Sequence, residues 1–317
     1  MSFISVLFAL LLDQARPLSR GNPIHAAMRS WVRYCSRNLD AGKSLHGWLA
    51  WGMAVGLPSG LALLIYWLLA FWAGWPLAVL WSALVLYATL GFRQFSFHFT
   101  EIREALANDD DATARSLLAQ WQHIDTQSGS RSDVIGRVIE FSVLAAHRHV
   151  FGVLAWFSIL AALGLGPTGA VLYRLAEFVS RYWQHKSMTL EQPVSLALQT
   201  NAKTAWHWID GLPARMTVLG FAVVGNFEEA IDGWRRYAAQ SGTNNDGLVL
   251  AATAGAINIQ LGMAPAANTA TTGLSSAASQ RPAPELAHMA VLVGLVWRAV
   301  VMWLVLLALL TLARLIA

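Results

Sequence analysis

Two short segments bring together residue types able to hold a charged ligand. In Asp210-Gly211-Leu212-Pro213-Ala214-Arg215 a carboxylate precedes an arginine on the same stretch, and Pro213 suits the first turn of a helix. Asp210 either caps that helix and pairs with Arg215, or the two face a ligand. In Thr243-Asn244-Asn245-Asp246-Gly247 amide and carboxylate side chains precede the small-residue run Ala251 to Gly255. Asn244 and Asn245 there either cap a helix or open an anion site at its N-terminus.

Other chemistry fails on spacing. Gly42-Lys43-Ser44 ends like a phosphate-binding loop, but the first glycine of GxxxxGK[ST] would fall at position 37, which is Arg37. His147 and His149 point about 200° apart on a helix, so they read as interfacial histidines and not as a shared metal site. Neither HExxH nor GxSxG occurs, and no nucleophile stands with a recognisable base, so catalytic residues stay unassigned. Cys35 is the single cysteine, which excludes an internal disulfide and a multi-thiolate metal site. From these residues neither a metal nor a cofactor is expected.

The elements that carry these segments are apolar. The chain has 317 residues, 56% of them apolar and only 13% charged, which excludes a disordered chain, a nucleic-acid-coating protein and a disulfide scaffold. Trp48 to Phe71 is uncharged over 24 positions, enough to cross a hydrocarbon core of about 30 Å. Gly74-Trp75-Pro76 reads as a turn, and Leu77 to Phe92 completes a transmembrane hairpin with tryptophans near its ends. Val150 to Tyr173 is a third apolar stretch, either a span or, given Gly164, Gly166, Pro167 and Gly169, a broken or re-entrant one. Ala299 to Ala313, lengthened back to Met289, is a fourth. Met216 to Phe227 is too short to span and reads as a buried helix. No internal repeat is evident, and the spans hold no charge apart from Arg298, which argues against a transporter.

The predicted class is therefore all-α, a polytopic integral membrane protein with about four transmembrane helices plus interfacial and soluble helices. The expected segments are 1–47, an uncleaved N-terminal helix and a basic amphipathic helix; 48–92, the hairpin; 93–149, a cytoplasmic helical segment; and 150–173, the third stretch. Then follow 174–263, a helical domain; 264–284, a flexible linker; and 285–317, the last span. Residues 1–47 carry six basic and two acidic residues, while 174–296 balance at eight of each. The N-terminal excess predicts a cytoplasmic N-terminus. Arg29, Arg33 and Arg37 share one helical face opposite Ile24, Met28, Trp31, Cys35 and Leu39. That helix either meets anionic lipid headgroups or packs on the protein with a solvated arginine face. Asp109 to Asp111 are expected to cap the helix that follows. The partners expected are the bilayer, those headgroups and a membrane protein, with no nucleic acid.

Taken in order, these segments resemble the membrane superfamily of adenosylcobinamide-phosphate synthase (CobD/CbiB) and AmpE. Pro23-Ile24 through Arg37 and Gly42 is similar to its N-terminal element. Asn108-Asp109 with Ala114-Arg115 is similar to AGDLxxAR, Tyr173-Arg174 to its tyrosine-basic pair, and Leu212-Pro213-Ala214-Arg215 to IPAR. Thr243 to Gly247 with Ala254-Gly255-Ala256 and Gln260-Leu261-Gly262 is similar to PNAG…AGALGVxLGG. The synthase pattern is departed from at His123-Ile124-Asp125-Thr126, where GRDT stands, and at His147 to Gly152, in place of EN…DG. It is departed from again at Glu177-Phe178-Val179-Ser180 and at Trp206-His207. The resemblance implies a ligand site of Tyr173, Arg174, Asp210, Arg215, Asn244 and Asn245. Loss of magnesium-type carboxylates favours a non-ligase, AmpE-like regulatory or structural member. The alternative is the enzyme that forms an amide between adenosylcobyric acid and an aminopropanol or its phosphate, using ATP and magnesium, with Glu140, Asp133 and Glu177 as compensating carboxylates.

Overall fold

The computed structural model describes residues 2–15, 23–122, 130–188, 194–241, 244–261 and 281–316, and all regular structure among them is helical. The linker expected at 264–284 lies outside the described residues up to position 280. Three helices are long and apolar enough to cross a membrane, Ser44–Trp72, Arg131–Ala162 and Leu286–Ala313. The second arm of the expected hairpin, α5 (Trp75–Thr89), has 15 residues, about 22 Å, and is shorter than a typical hydrocarbon core. Where a third stretch was read from Val150, the helix starts at Arg131 and runs through a π-helical turn at His147–Phe151 to Ala162. It stops there because Gly164 and Gly166 take φ of 81° and 55°, which ends the helix and reverses the chain.

The chain forms two compact units. The first comprises Met1–Phe92, Arg148–Pro213 and Leu304–Ala317. In it α1 (Ser2–Ala15) packs on α5, and α4 (Leu57–Trp72) packs on both α5 and α10 (Thr168–Met188). The amphipathic α2 (Pro23–Leu39) buries Val32 and Cys35 in a core with Ala50, Ala54, Leu175, Val179, Trp183 and Leu198, while Arg29, Arg33 and Arg37 stay exposed. α2 thus packs on the protein with its arginine face left exposed, which is compatible with headgroup contact. Asp40 fixes the chain after α2 by accepting the Ser195 N–H at 2.8 Å.

Two prolines inside long helices of this unit leave carbonyls without their helical N–H. α11 (Leu196–Val224) runs straight through Pro213, so Pro213 does not start the helix and Asp210 does not cap it. Asp210 sits in the helix interior and is 1% exposed. The carbonyl that Pro213 leaves is that of Ile209, and Trp156 Nε1 on α9 (Gly152–Ala162) donates to it at 2.9 Å. Pro58 near the start of α4 leaves the Ala54 carbonyl, to which Trp31 Nε1 on α2 donates at 3.3 Å. In both cases an indole from a neighbouring helix stands in for the missing amide.

The second unit comprises Arg93–His147 and Ala214–Trp303. Its centre is the close pair α12 (Phe227–Ser241) and α13 (Asn245–Ala256), with α8 (Arg131–Ala146) packed on α13. A Cβ on Gly255 would collide with the Glu229 carbonyl, so only glycine allows this approach. α6 (Phe92–Ala107) leads to α7 (Asp111–Gln122), which Asp110 caps by accepting the Thr113 N–H at 3.0 Å, while Arg131 Nη1 binds Asp109 at 2.6 Å. The run Asp109 to Asp111 is thus a helix start. α14 (Leu286–Ile316) closes the chain.

The Trp156 and Pro213 pairing makes a coupling prediction. Trp156→Phe leaves the Ile209 carbonyl without a partner, at a cost of about 1–3 kcal/mol. Adding Pro213→Ala restores a helical N–H, so the double variant is expected to lose less than the sum of the two single losses. Thermal unfolding of the four proteins in one detergent measures this, and strict additivity would refute the pairing.

Candidate functional site

The residues singled out in the sequence divide between the units. Tyr173, Arg174 and Asp210 belong to the first, and Arg215, Asn244 and Asn245 to the second. In the second unit Asn244 is the N-cap of α13 and accepts the Asp246 N–H at 3.2 Å, with Asn245 opening the first turn. Asn244 thus caps α13, and Arg215 lies within α11.

In the first unit Tyr173 and Asp210 form a buried pair, with the tyrosine O–H donating to Asp210 Oδ1 at 2.7 Å. The Tyr173 ring lies against Trp206, centroids 5.1 Å apart. It also passes over Gly152, where any Cβ would overlap the phenol. α9, α10 and α11 are thereby held in register at one level. Trp206 thus supplies an aromatic wall for this tyrosine.

One turn further along α10 is a feature not assembled from the sequence. Glu177 is 2% exposed and accepts from Arg174 Nη1 on Oε2 at 2.9 Å and from Arg181 Nη1 on Oε1 at 3.0 Å. Spacings of three and four residues put all three on one helical face, and that signal was available in the sequence. Arg148 and His149 lie within electrostatic reach of the same carboxylate. Burial alone would push the Glu177 carboxyl up, but Arg174, Arg181, His149 and Arg148 hold it down at about 2. Three guanidiniums thus surround one carboxylate, an arrangement suited to binding a further anion. His149 Nδ1 is buried without a hydrogen-bond partner. His147, by contrast, belongs to the second unit and shares a 2.9 Å hydrogen bond with Thr217 Oγ1. The two histidines therefore have separate environments.

The compensating carboxylates stand in different settings, Asp133 and Glu140 in the second unit and Glu177 in the first. Asp133 closes a capping box with Ser130, whose N–H and hydroxyl both donate to its Oδ2 at 2.8 Å. Both Glu177 oxygens are taken by arginines, and Glu140 lies on α8 in the second unit. Among the described residues no group of three or more His, Cys, Asp or Glu is placed to hold a metal ion. The donor chemistry around Glu177 is that of guanidinium and anion, which does not fit magnesium.

The Glu177 cluster predicts an acid-sensitive stability. A carboxyl lowered on folding stabilises the native state above its unfolded value of 4.5, and this is lost as pH falls from there through about 2. The difference amounts to about 3 kcal/mol. Glu177→Gln is expected to melt lower than the native chain at pH 7 and to show a flatter decline between pH 4.5 and 2. Melting curves against pH check it, and parallel declines for the two proteins would refute the assignment.

Comparison with known proteins agrees with the pattern of segments. The family model described as CobD/Cbib protein matches residues 6–266. A Stutzerimonas stutzeri protein named cobalamin biosynthesis protein CobD is 30% identical over 310 residues, 96% of each chain. Proteins of the same name from Chromobacterium violaceum and Leptospira interrogans are 32% identical over 199 residues and 28% over 193, covering 60% of each chain and 59% and 58% respectively. No solved structure matches.

Proposed function

The chain belongs to the CobD/CbiB family, and from that premise we propose that it acts in cobalamin biosynthesis, forming an amide between adenosylcobyric acid and an aminopropanol or its phosphate. The carrying observation is the end-to-end similarity to a protein named for that pathway, 30% identical over 96% of both chains. The arginine cluster adds a physical argument. Arg174, Arg181 and Arg148 together bring more positive charge than the one Glu177 carboxylate carries, which suits a phosphate or a corrinoid carboxylate. The chain's own contribution on this reading is to bind and orient the two reactants at the end of α10. ATP with magnesium is the activating pair implied by the resemblance, but the residues around Glu177 do not fit the metal, and binding and orientation are what these side chains supply.

A second reading has one observation in its favour. Where the related synthases carry EN…DG this chain places Arg148 among other guanidiniums, which suits a relative that binds an anion without ligase chemistry, in a regulatory or structural role of the AmpE kind. The matching relatives are named for cobalamin biosynthesis and lend that second reading no support.

Complementation separates the two. A strain lacking the synthase and grown on cobyric acid is expected to regain cobalamin-dependent growth when this chain is supplied. Arg148→Ala is expected to reduce cobalamin output at least about tenfold, the loss for one charge-assisted contact to an anion. Failure to rescue by a protein shown to reach the membrane would overturn the amide reading in favour of the second.

We place the protein in the bacterial inner membrane with α2 on the cytoplasmic side, because the six basic residues of 1–47 favour retention there. In a Cys35→Ser background, Arg29→Cys is expected to react in intact cells with a membrane-permeant maleimide and not with an impermeant one. Labelling by both would reverse the orientation.

A further inference from the structure

A groove of about 480 Å³ in the first unit lies between α2, the α4 and α5 pair, and α10. Its walls are apolar, with Met28, Trp31, Leu61, Ile65 and Val85 among them, and its size is that of a small-molecule site. The polar atoms of three wall residues are turned to backbone. Trp31 Nε1 donates to the Ala54 carbonyl, Trp81 Nε1 to the Ala62 carbonyl at 3.1 Å, and Thr89 Oγ1 to the Val85 carbonyl at 2.9 Å. Two lining side chains bring ionisable groups, His25 and Arg174. His25 lies in the electrostatic field of both Arg174 and Arg29.

The groove is bordered by a candidate membrane span. Leu57 and Leu61, on its rim, belong to Ser44–Trp72 and are 47% and 52% exposed, and Ile24 on α2 is 50% exposed. An occupant entering here meets hydrocarbon walls first and a cationic group second. The charge balance is also open, since Glu177 is shared by Arg174 and Arg181 and leaves an excess guanidinium charge beside the groove.

We propose that this groove is a binding site for one acyl chain of an anionic phospholipid, with the lipid phosphate at Arg174 and His25. Apolar walls on a membrane-spanning helix call for a chain, and a cation among them calls for an anionic head. A soluble phosphate satisfies only the second demand, and a neutral lipid only the first. Arg29, Arg33 and Arg37 on the exposed face of α2 extend the same charge preference outside the groove. The site does not rest on the amide reading, because a relative without ligase activity would hold the lipid equally.

The full chain, purified in mild detergent, is placed in nanodiscs containing equal phosphatidylglycerol and phosphatidylcholine, re-extracted, and its retained lipid measured by native mass spectrometry. The expected result is bound phosphatidylglycerol favoured by about fivefold or more, the factor that one basic residue contributes at an anionic surface. Leu61→Trp, which fills the groove from an exposed position, is expected to lower retention of both lipids at an unchanged melting temperature. Arg174→Gln is expected to abolish the preference while phosphatidylcholine is still retained. Because Arg174→Gln also disturbs Glu177, the Leu61→Trp result stands as the independent arm. Equal retention of the two lipids, no effect of Leu61→Trp, or displacement of phosphatidylglycerol by millimolar inorganic phosphate alone would each overturn the proposal. Complementation by a Leu61→Trp protein reads the amide reaction separately, so loss of lipid with growth intact leaves that reading standing.

Discussion

A polar group inside an apolar helical bundle has no water to turn to, and the first unit is arranged around that constraint. Pro213 and Pro58 each remove an amide from a helix, and Trp156 and Trp31 each bring an indole N–H to the carbonyl left behind. Tyr173 and Asp210 bury a hydroxyl and a carboxylate by giving them to one another. Glu177 enters the interior with a guanidinium on each oxygen. The indole and tyrosine bonds are directional contacts between different helices, so satisfying them also sets how α2, α9, α10 and α11 are registered, while the Glu177 pairs stay within α10. Apolar packing alone is non-directional and would tolerate sliding.

This gives the proline-containing motif a physical meaning. A segment ending in Pro-Ala-Arg reads naturally as a helix start, because proline is favoured in a first turn. In the fold it is an interruption in the middle of a 29-residue helix. The interruption frees a carbonyl at Ile209, next to Asp210, and docks α9 there. Tyr173 then reaches Asp210 across Gly152, which belongs to the same α9. Proline, tryptophan, glycine, tyrosine and aspartate thus act as one unit distributed over three helices.

Much of the architecture was legible in the sequence because uncharged runs and helical periodicity are local properties. The first and last spans, the amphipathic face of α2 and the cap at Asp110 follow from neighbours within a few residues. What escaped was whatever depends on a partner far along the chain. Nothing near Asp210 points to Tyr173, 37 residues away, and nothing near Pro213 points to Trp156. Proline chemistry favoured the wrong answer there, since a first-turn proline and a bridged internal proline have the same local sequence. The Arg174, Glu177, Arg181 ladder was legible by spacing, yet its burial and the approach of Arg148 were not. Asp210 belongs to the first unit and Asn244 and Asn245 to the second, and the sequence order of their motifs carries no information on such a division.

A cluster of arginines and a cluster of carboxylates differ in chemistry through the sign of the local field. A carboxylate cluster holds phosphate indirectly, through a divalent cation, and the cation polarises the phosphoryl group while bound. A guanidinium cluster holds phosphate or carboxylate directly and stabilises negative charge without a metal's Lewis acidity. Around Glu177 the second arrangement prevails, and inserting a divalent cation there would set it against three guanidiniums. On the amide reading proposed above, activation of a carboxylate would therefore arise away from this cluster or on an already activated reactant. What the cluster brings is an excess of guanidinium over carboxylate charge, which suits direct contact with an anion, and that charge is compatible with an amide-forming enzyme and with a non-catalytic relative alike.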